Sequence, residues 1–196
     1  MILWFKDLPN KDIDFSSWNP FIANSWFRKN FMYFVYLLMG VVYVLPGLLG
    51  SDFNRLQTPN TFVVYEGNSL ITFYIRSFYT VVVIALIFIV HELLHIIVIY
   101  KKDNISFTHS GLFFWINTNA ILSKMEFWFY MTLPIIGLSL VPFIISIFVS
   151  TGYLKSFMLF IAWVNLIIAS SDIINSILIL IKPNNTLFCR GYYRKK

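Results

Sequence analysis

Charge is what this sequence has least of. Only 12% of its 196 residues are charged and 58% are hydrophobic, whereas soluble domains average about 25% charged and about 45–50% apolar. With a mean hydropathy of +0.72, lipid is the solvent against which the chain has to be read. Cysteine is almost absent. The single Cys189 excludes an intramolecular disulfide and a cysteine-based zinc site. Residues 1–20 lack the basic start, the long apolar run and the small-residue cleavage site of a signal peptide, so no cleaved leader is expected there. No internal repeat and no low-complexity linker stands out. The net charge of +6 does not call for nucleic acid as a partner, because the basic residues flank hydrophobic runs.

What is present is a set of long apolar runs, with aromatics making up 19% of the chain, as suits spans and interfacial belts. Trp18, Phe21, Trp26 and Phe27 beside Arg28 and Lys29 read as an interfacial segment within residues 1–30. Four spans are expected, at about 31–49, 77–100, 127–150 and 154–181, each long enough to cross about 30 Å of hydrocarbon as a helix. Residues 51–70 carry turn signals and read as a hairpin or loop outside the bilayer. Residues 103–125 mix Ile105, Phe107, Phe113 and Trp115 with Ser, Thr, Asn and Gly111, and read as a β-like or re-entrant segment. Residues 183–196 read as a basic tail at the membrane surface. The expected fold class is an all-α polytopic membrane protein of four transmembrane helices, with that β-like segment between helices two and three. Pro134 and Gly137 are expected to bend or pack span three.

Orientation follows from the loop charges. Twelve Lys and Arg flank the termini and the 101–126 loop, against only Arg55, Arg76 and Lys155 on the other side. That asymmetry places both termini in the cytoplasm. The abundance of Phe, Ile, Asn and Lys suits an AT-rich bacterial genome, so the expected location is a bacterial plasma membrane.

Ionisable residues deep in a span cost about 2.5–3.5 kcal/mol each at the helix centre, so they are functional candidates. Here they are His91, Glu92 and His95 on span two and Asp172 on span four. His91-Glu92-Leu93-Leu94-His95 places two imidazoles about 40° apart on one helix face, where they can grip one metal ion. Glu92 beside them can take a proton from metal-activated water. The bland alternative is a pair of buried histidines bonding to neighbouring helices, which leaves Glu92 without a task.

Two histidines do not complete a zinc site, which usually has three protein ligands and an open position. Val98 and Lys101 stand where a continuous metzincin pattern would need Gly and His. His109, Glu126 and Asp172 remain. Asp172 and His91 each precede a basic boundary, Lys182 and Lys101, by ten residues, which puts both about 15 Å deep, with His95 at about 9 Å. Depth therefore favours Asp172. Glu126 at the interface end of span three and His109 in a loop fit less well unless the loop folds back. Asn165, Ala169, Asp172 and Ser176 form a polar stripe at helical spacing, which also suits plain helix packing.

These residues resemble a known group. A deep HExxH helix followed two spans later by an Asn…Asp helix is similar to the site-2 protease class of intramembrane metalloproteases. Asn165 and Asp172 match its Asn-Pro…Asp-Gly pattern, while the Pro and Gly are absent. A closer resemblance is to small bacterial membrane zincin peptidases of unknown function. It rests on His91–His95, a glycine-containing segment, Leu122-Ser123-Lys124-Met125-Glu126-Phe127, Pro134 and the Asn165 to Asp172 span, and covers about 78–182. The resemblance implies a metallopeptidase architecture, and substrate-positioning roles for Asn165 and Gly111.

The expected function is a zinc-dependent intramembrane metalloendopeptidase. His91, His95 and Asp172 would hold Zn2+, Glu92 would be catalytic, and the cut would fall near the cytoplasmic side. Its partners would be the bilayer and a membrane-associated peptide or protein; oligomeric state stays open. The alternatives are a non-proteolytic membrane subunit that keeps a structural metal site, and a metal-dependent hydrolase of a lipid or small molecule.

Overall fold

The computed structural model describes residues 2–4, 13–49, 70–110, 113–150 and 152–196. The hairpin or loop expected over 51–70 lies outside these residues except for Leu70, and Gly111 lies outside them entirely. In chain order the elements are strands β1 (Ile2–Trp4) and β2 (Asn19–Pro20), then helices α1 (Ser25–Lys29), α2 (Phe31–Leu49) and α3 (Leu70–Ile99). Strands β3 (Ile105–Ser110), β4 (Phe113–Thr118) and β5 (Leu122–Ser123) follow. Next come α4 (Lys124–Ile135), a π-helical turn (Ile136–Leu140), α5 (Val141–Phe148), α6 (Tyr153–Ile168) and α7 (Ser170–Leu180). Strands β6 (Thr186–Cys189) and β7 (Tyr192–Lys195) end the chain.

Among the described residues, three stretches are long and apolar enough to cross a membrane: Phe31–Leu48, Ser77–Ile99 and Lys124–Phe148. The pair α6 and α7 makes a fourth only if counted as one span bent by 64°. Large apolar side chains such as Leu37, Leu48, Ile89 and Phe148 are exposed on these helices, the surface expected to meet lipid chains. The chain is thus mostly helical with three to four candidate spans, but not all-α, because strands also form.

The chain divides into two compact units. The first comprises Met1–Tyr33, Glu92–Leu133 and Asp172–Lys196. Within it β1, β3 and β4 form one sheet, and β2, β7, β6 and β5 another. β3 and β4 are an antiparallel hairpin, with Ile105 opposite Thr118 and His109 opposite Phe114. The β-like reading of 103–125 thus takes the form of a hairpin. The residues expected to be a basic tail fold as a second hairpin, in which Cys189 pairs with Tyr192. The core of this unit packs Ile99, Ile105, Leu122 and Tyr130 in one cluster, and Phe21, Ile179 and Phe188 in another.

The start of α4 is fixed by a reciprocal cap. Ser123 N–H donates to Glu126 Oε2 at 2.9 Å, and Glu126 N–H reaches Ser123 Oγ at 3.4 Å. The Ser-x-x-Glu spacing satisfies two otherwise orphaned donors. Glu126 also pairs with Lys102 at 2.6 Å.

The second unit comprises Phe34–His91 and Pro134–Ser171. Its core gathers Ile87, Leu159, Phe160 and Val164. Pro46 inside α2 has no N–H to give to the carbonyl of Val42, four residues earlier. That carbonyl instead accepts the indole N–H of Trp163 at 2.9 Å. Span three does not continue as a uniform helix past Pro134 but opens into the π-helical turn containing Gly137, an irregularity common at functional sites.

Between α6 and α7 the helix breaks at Ala169, whose φ of −77° and ψ of 9° leave the helical well. Ser170 Oγ donates back to the carbonyl of Leu166 at 3.2 Å, a contact that bends helices. The break starts a new helix just before Asp172, so the carboxylate falls in its first turn. A negative charge is favoured at that end of the helix dipole.

Candidate metal centre

The histidines belong to α3, a continuous helix through both, and both are buried. Four residues separate them, so both imidazoles lie on one face, one turn apart. Glu92 between them is half-buried.

The ring nitrogens are assigned by their partners. His95 Nδ1 lies 2.8 Å from the carbonyl oxygen of Tyr130. A carbonyl only accepts, so Nδ1 carries the proton and donates. Tyr130 can offer that carbonyl because the residue four positions later is Pro134, which has no N–H to occupy it. The Tyr130 ring also lies against the His95 imidazole, with centroids 4.6 Å apart.

His91 Nδ1 lies 2.9 Å from Asn165 Oδ1. The orientation of that amide follows from its other end. Asn165 Nδ2 donates to the carbonyl of Pro134 at 3.0 Å and to Ser139 Oγ at 2.7 Å. Since Pro134 O can only accept, the amide nitrogen must face it, and Oδ1 must face His91. His91 Nδ1 is therefore also a donor. In the neutral imidazole the other nitrogen, Nε2, then keeps its lone pair. Both histidines are held in the tautomer that presents Nε2 to a metal, by the kind of partner that metal-ligating histidines use.

Asp172 completes the group. Its Oδ2 lies 3.3 Å from His95 Nε2. Two donors each about 2.1 Å from a tetrahedral zinc ion stand about 3.4 Å apart, so this separation is the edge that a shared ion would span. The donor atoms of His91, His95 and Asp172 all lie within 4.8 Å of one another. Two imidazoles and one carboxylate are a common catalytic zinc set that leaves a fourth position open. The residues present therefore fit a zinc ion.

The other candidates fall elsewhere. Glu126 is engaged in its helix cap and in the ion pair with Lys102. His109 sits in β3, opposite Phe114. Asn165 is fully buried and orients His91, a task that its place in a polar stripe does not reveal. Sequence reasoning misses Tyr130 altogether, since its part is played by a backbone carbonyl. The usable signal is Pro134, whose missing N–H frees the carbonyl four residues upstream.

A profile of the family described as "Putative zincin peptidase" matches residues 84–187, the stretch that holds His91, Glu92, His95, Asn165 and Asp172. No curated protein and no solved structure gives a match. With more than half of its length under that profile, the chain belongs to the family of zincin peptidases so described.

Proposed function

We propose that the chain is a zinc-dependent metalloendopeptidase acting within a bacterial plasma membrane, similar in its chemistry to site-2 proteases, on a membrane-associated peptide or protein. His91, His95 and Asp172 hold the ion. A zinc ion in that position supplies Lewis acidity toward water and toward the scissile carbonyl. Glu92 takes the proton of the attacking water on its carboxylate and returns it to the leaving amine nitrogen. Asn165 and the Tyr130 carbonyl keep both imidazoles in register throughout, so neither ring has to reorient as charge develops.

The observation that carries this reading is the matched fixing of the two histidines. Each Nδ1 donates to an acceptor whose own orientation is set, at 2.9 Å and 2.8 Å. A purely structural histidine pair has no need to bring ring nitrogens of both residues together with one carboxylate.

The charge asymmetry supports cytoplasmic termini, and the depth of the histidines supports water entry and cleavage from that side. A helical substrate must unwind before a carbonyl can reach the ion. Among the described residues β4 lies at the edge of its sheet, so an unwound segment can add to it as a further strand through backbone hydrogen bonds. The test is cleavage of a reporter membrane substrate by the purified, zinc-loaded protein. Cleavage by wild type and its loss in Glu92→Gln, at unchanged zinc content, is the expected result. Equal cleavage by the two proteins sinks the mechanism.

A further inference from the structure

The first unit contains a cavity of about 660 Å³. Its walls include the apolar side chains Phe21, Phe127, Tyr130, Met131 and Phe188, and the cationic Arg190. Tyr130 is the wall shared with the candidate metal centre, because its carbonyl and its ring are what His95 rests on. A ligand side chain in this cavity is therefore separated from His95 by one residue.

Arg190 is placed there at a conformational cost. Cys189 and Tyr192 pair across the hairpin, leaving a two-residue turn, Arg190-Gly191, with φ of 45° and 74°. Positive φ at both central positions is the type I′ geometry, which favours Asn-Gly, Asp-Gly or Gly-Gly. Glycine aside, Arg190 is the one residue with positive φ among the described residues. An L side chain in that region costs on the order of 1–2 kcal/mol, and such outliers collect at functional sites.

The guanidinium is also aimed. Arg190 Nε donates to Oδ1 of the buried Asn119 at 2.5 Å. That contact uses Nε and leaves the two terminal amino groups for a ligand. Four other cations of this unit have structural tasks. Lys124 caps the end of α7, Lys102 pairs with Glu126, Lys182 lies over Tyr193 and Arg194 over Trp18. Arg190 makes no ion pair among the described residues.

We propose that this cavity is a selectivity subsite for an extended peptide, taking one large apolar side chain while Arg190 binds a carboxylate of the same peptide. The proposal rests on the peptidase reading and names its substrate class. A planar guanidinium with two free amino groups matches a carboxylate in a bidentate pair, and the aromatic walls match an apolar neighbour. The carboxylate can come from the peptide's C-terminus or from an Asp or Glu side chain.

The experiment measures binding, not turnover. Full-length Glu92→Gln protein, zinc-loaded and in phosphatidylcholine nanodiscs, is titrated with short fluorescein-labelled peptides read by anisotropy. One peptide carries Phe, Glu and a free C-terminus; the others replace Phe by Ala, Glu by Gln, or the free C-terminus by its amide. Tightest binding is expected for the first, with loss on Phe→Ala and on one of the two neutralisations, which identifies the source of the carboxylate. Adding Arg190→Asn is expected to weaken the first peptide about 10–100-fold, as for a lost charge-assisted pair, and to leave the neutralised peptide unchanged. Asn-Gly suits the turn better than Arg-Gly, which offsets the lost hydrogen bond to Asn119, so the thermal midpoint is expected to change little, and Arg190→Lys binds with an affinity between the two. Equal affinities for the charged peptide with and without the Arg190→Asn substitution overturn the proposal, as does equal weakening for charged and neutral peptides. Charge-selective binding with no cleavage by the Glu92-intact protein overturns the peptidase reading alone, and cleavage without charge selectivity overturns this proposal alone.

Discussion

Pro134 stands four residues after Tyr130 and leaves its carbonyl free to accept the Nδ1 proton of His95 at 2.8 Å. A helix irregularity thereby becomes an orienting partner for a candidate metal ligand. Replacing the proline tests the link. Pro134→Ala restores an N–H that competes for the Tyr130 carbonyl, and removes a residue that costs about 3 kcal/mol in a helix interior. The expected variant is no less stable to heat without metal, yet binds zinc about 10-fold more weakly, at the mild end of effects from such orienting partners. Competition against a chelator of known affinity measures the second effect. Unchanged zinc affinity would show that the carbonyl does not position His95.

Asn165 does the corresponding task for His91, with its amide nitrogen held by Pro134 and Ser139. Asn165→Ala removes the acceptor and leaves the imidazole free to choose either tautomer. Zinc affinity is expected to fall about 10–100-fold. Ser139→Ala removes only one of the two groups that hold the amide, so its effect should be smaller. An Asn165→Ala protein with wild-type zinc affinity but lower stability would reduce Asn165 to a packing residue.

The HExxH helix and the grouping of its histidines with Asp172 are readable because they rest on one-dimensional quantities, spacing and hydropathy. The features that complete the centre are not of that kind. The Tyr130 carbonyl belongs to the backbone, so no side-chain pattern marks it. The break at Ala169 interrupts a run that hydropathy reads as continuous, whereas the turn at Ile136–Leu140 falls where Pro134 and Gly137 mark a bend. The final hairpin is hidden by its charges. Arg190, Arg194, Lys195 and Lys196 look like a surface tail, while Arg190-Gly191 is a turn only because the pairing of Cys189 with Tyr192 makes it one. The Ser123…Glu126 cap is visible as a spacing, yet a carboxylate at that place reads equally as a possible ligand.

Lys124 links two elements of the first unit. Its Nζ donates to the carbonyls of Leu180 and Lys182 at 2.9 Å and 2.5 Å, and to Asn184 Oδ1 at 3.2 Å. A cation on the last carbonyl of α7 and on that of Lys182 just beyond it both satisfies them and opposes the negative end of the helix. Lys124→Met keeps the aliphatic stem and removes the donors. The expected cost is about 1–2 kcal/mol, read as a lower unfolding midpoint in detergent. Faster amide exchange should appear around Ile181 and Lys182, whose N–H groups bond to Ile177 and Ile179. An unaltered midpoint and exchange pattern would mean that water replaces the ammonium at no cost.

Glu126 and Asp172 are both carboxylates in the first turn of a helix, and the sequence offers both as the third ligand, so a paired substitution separates them. Glu126 is committed to Ser123 and Lys102, and Asp172 to the neighbourhood of His95. Glu126→Ala removes half of a capping box and a partly exposed ion pair, so stability should fall by about 0.5–2 kcal/mol while zinc content stays at the wild-type level. Asp172→Ala removes an oxygen donor, so the protein should purify with little zinc. An ion that binds only the folded protein stabilises it by an amount that grows with the logarithm of its concentration over its dissociation constant. Added zinc should therefore raise the unfolding midpoint of the wild type and of Glu126→Ala, and leave that of Asp172→Ala almost unmoved. Chelation with EDTA should bring the wild type toward the Asp172→Ala midpoint. A zinc-loaded Asp172→Ala protein beside a zinc-free Glu126→Ala protein would reverse the assignment, and would place the third ligand at the start of α4 instead of α7.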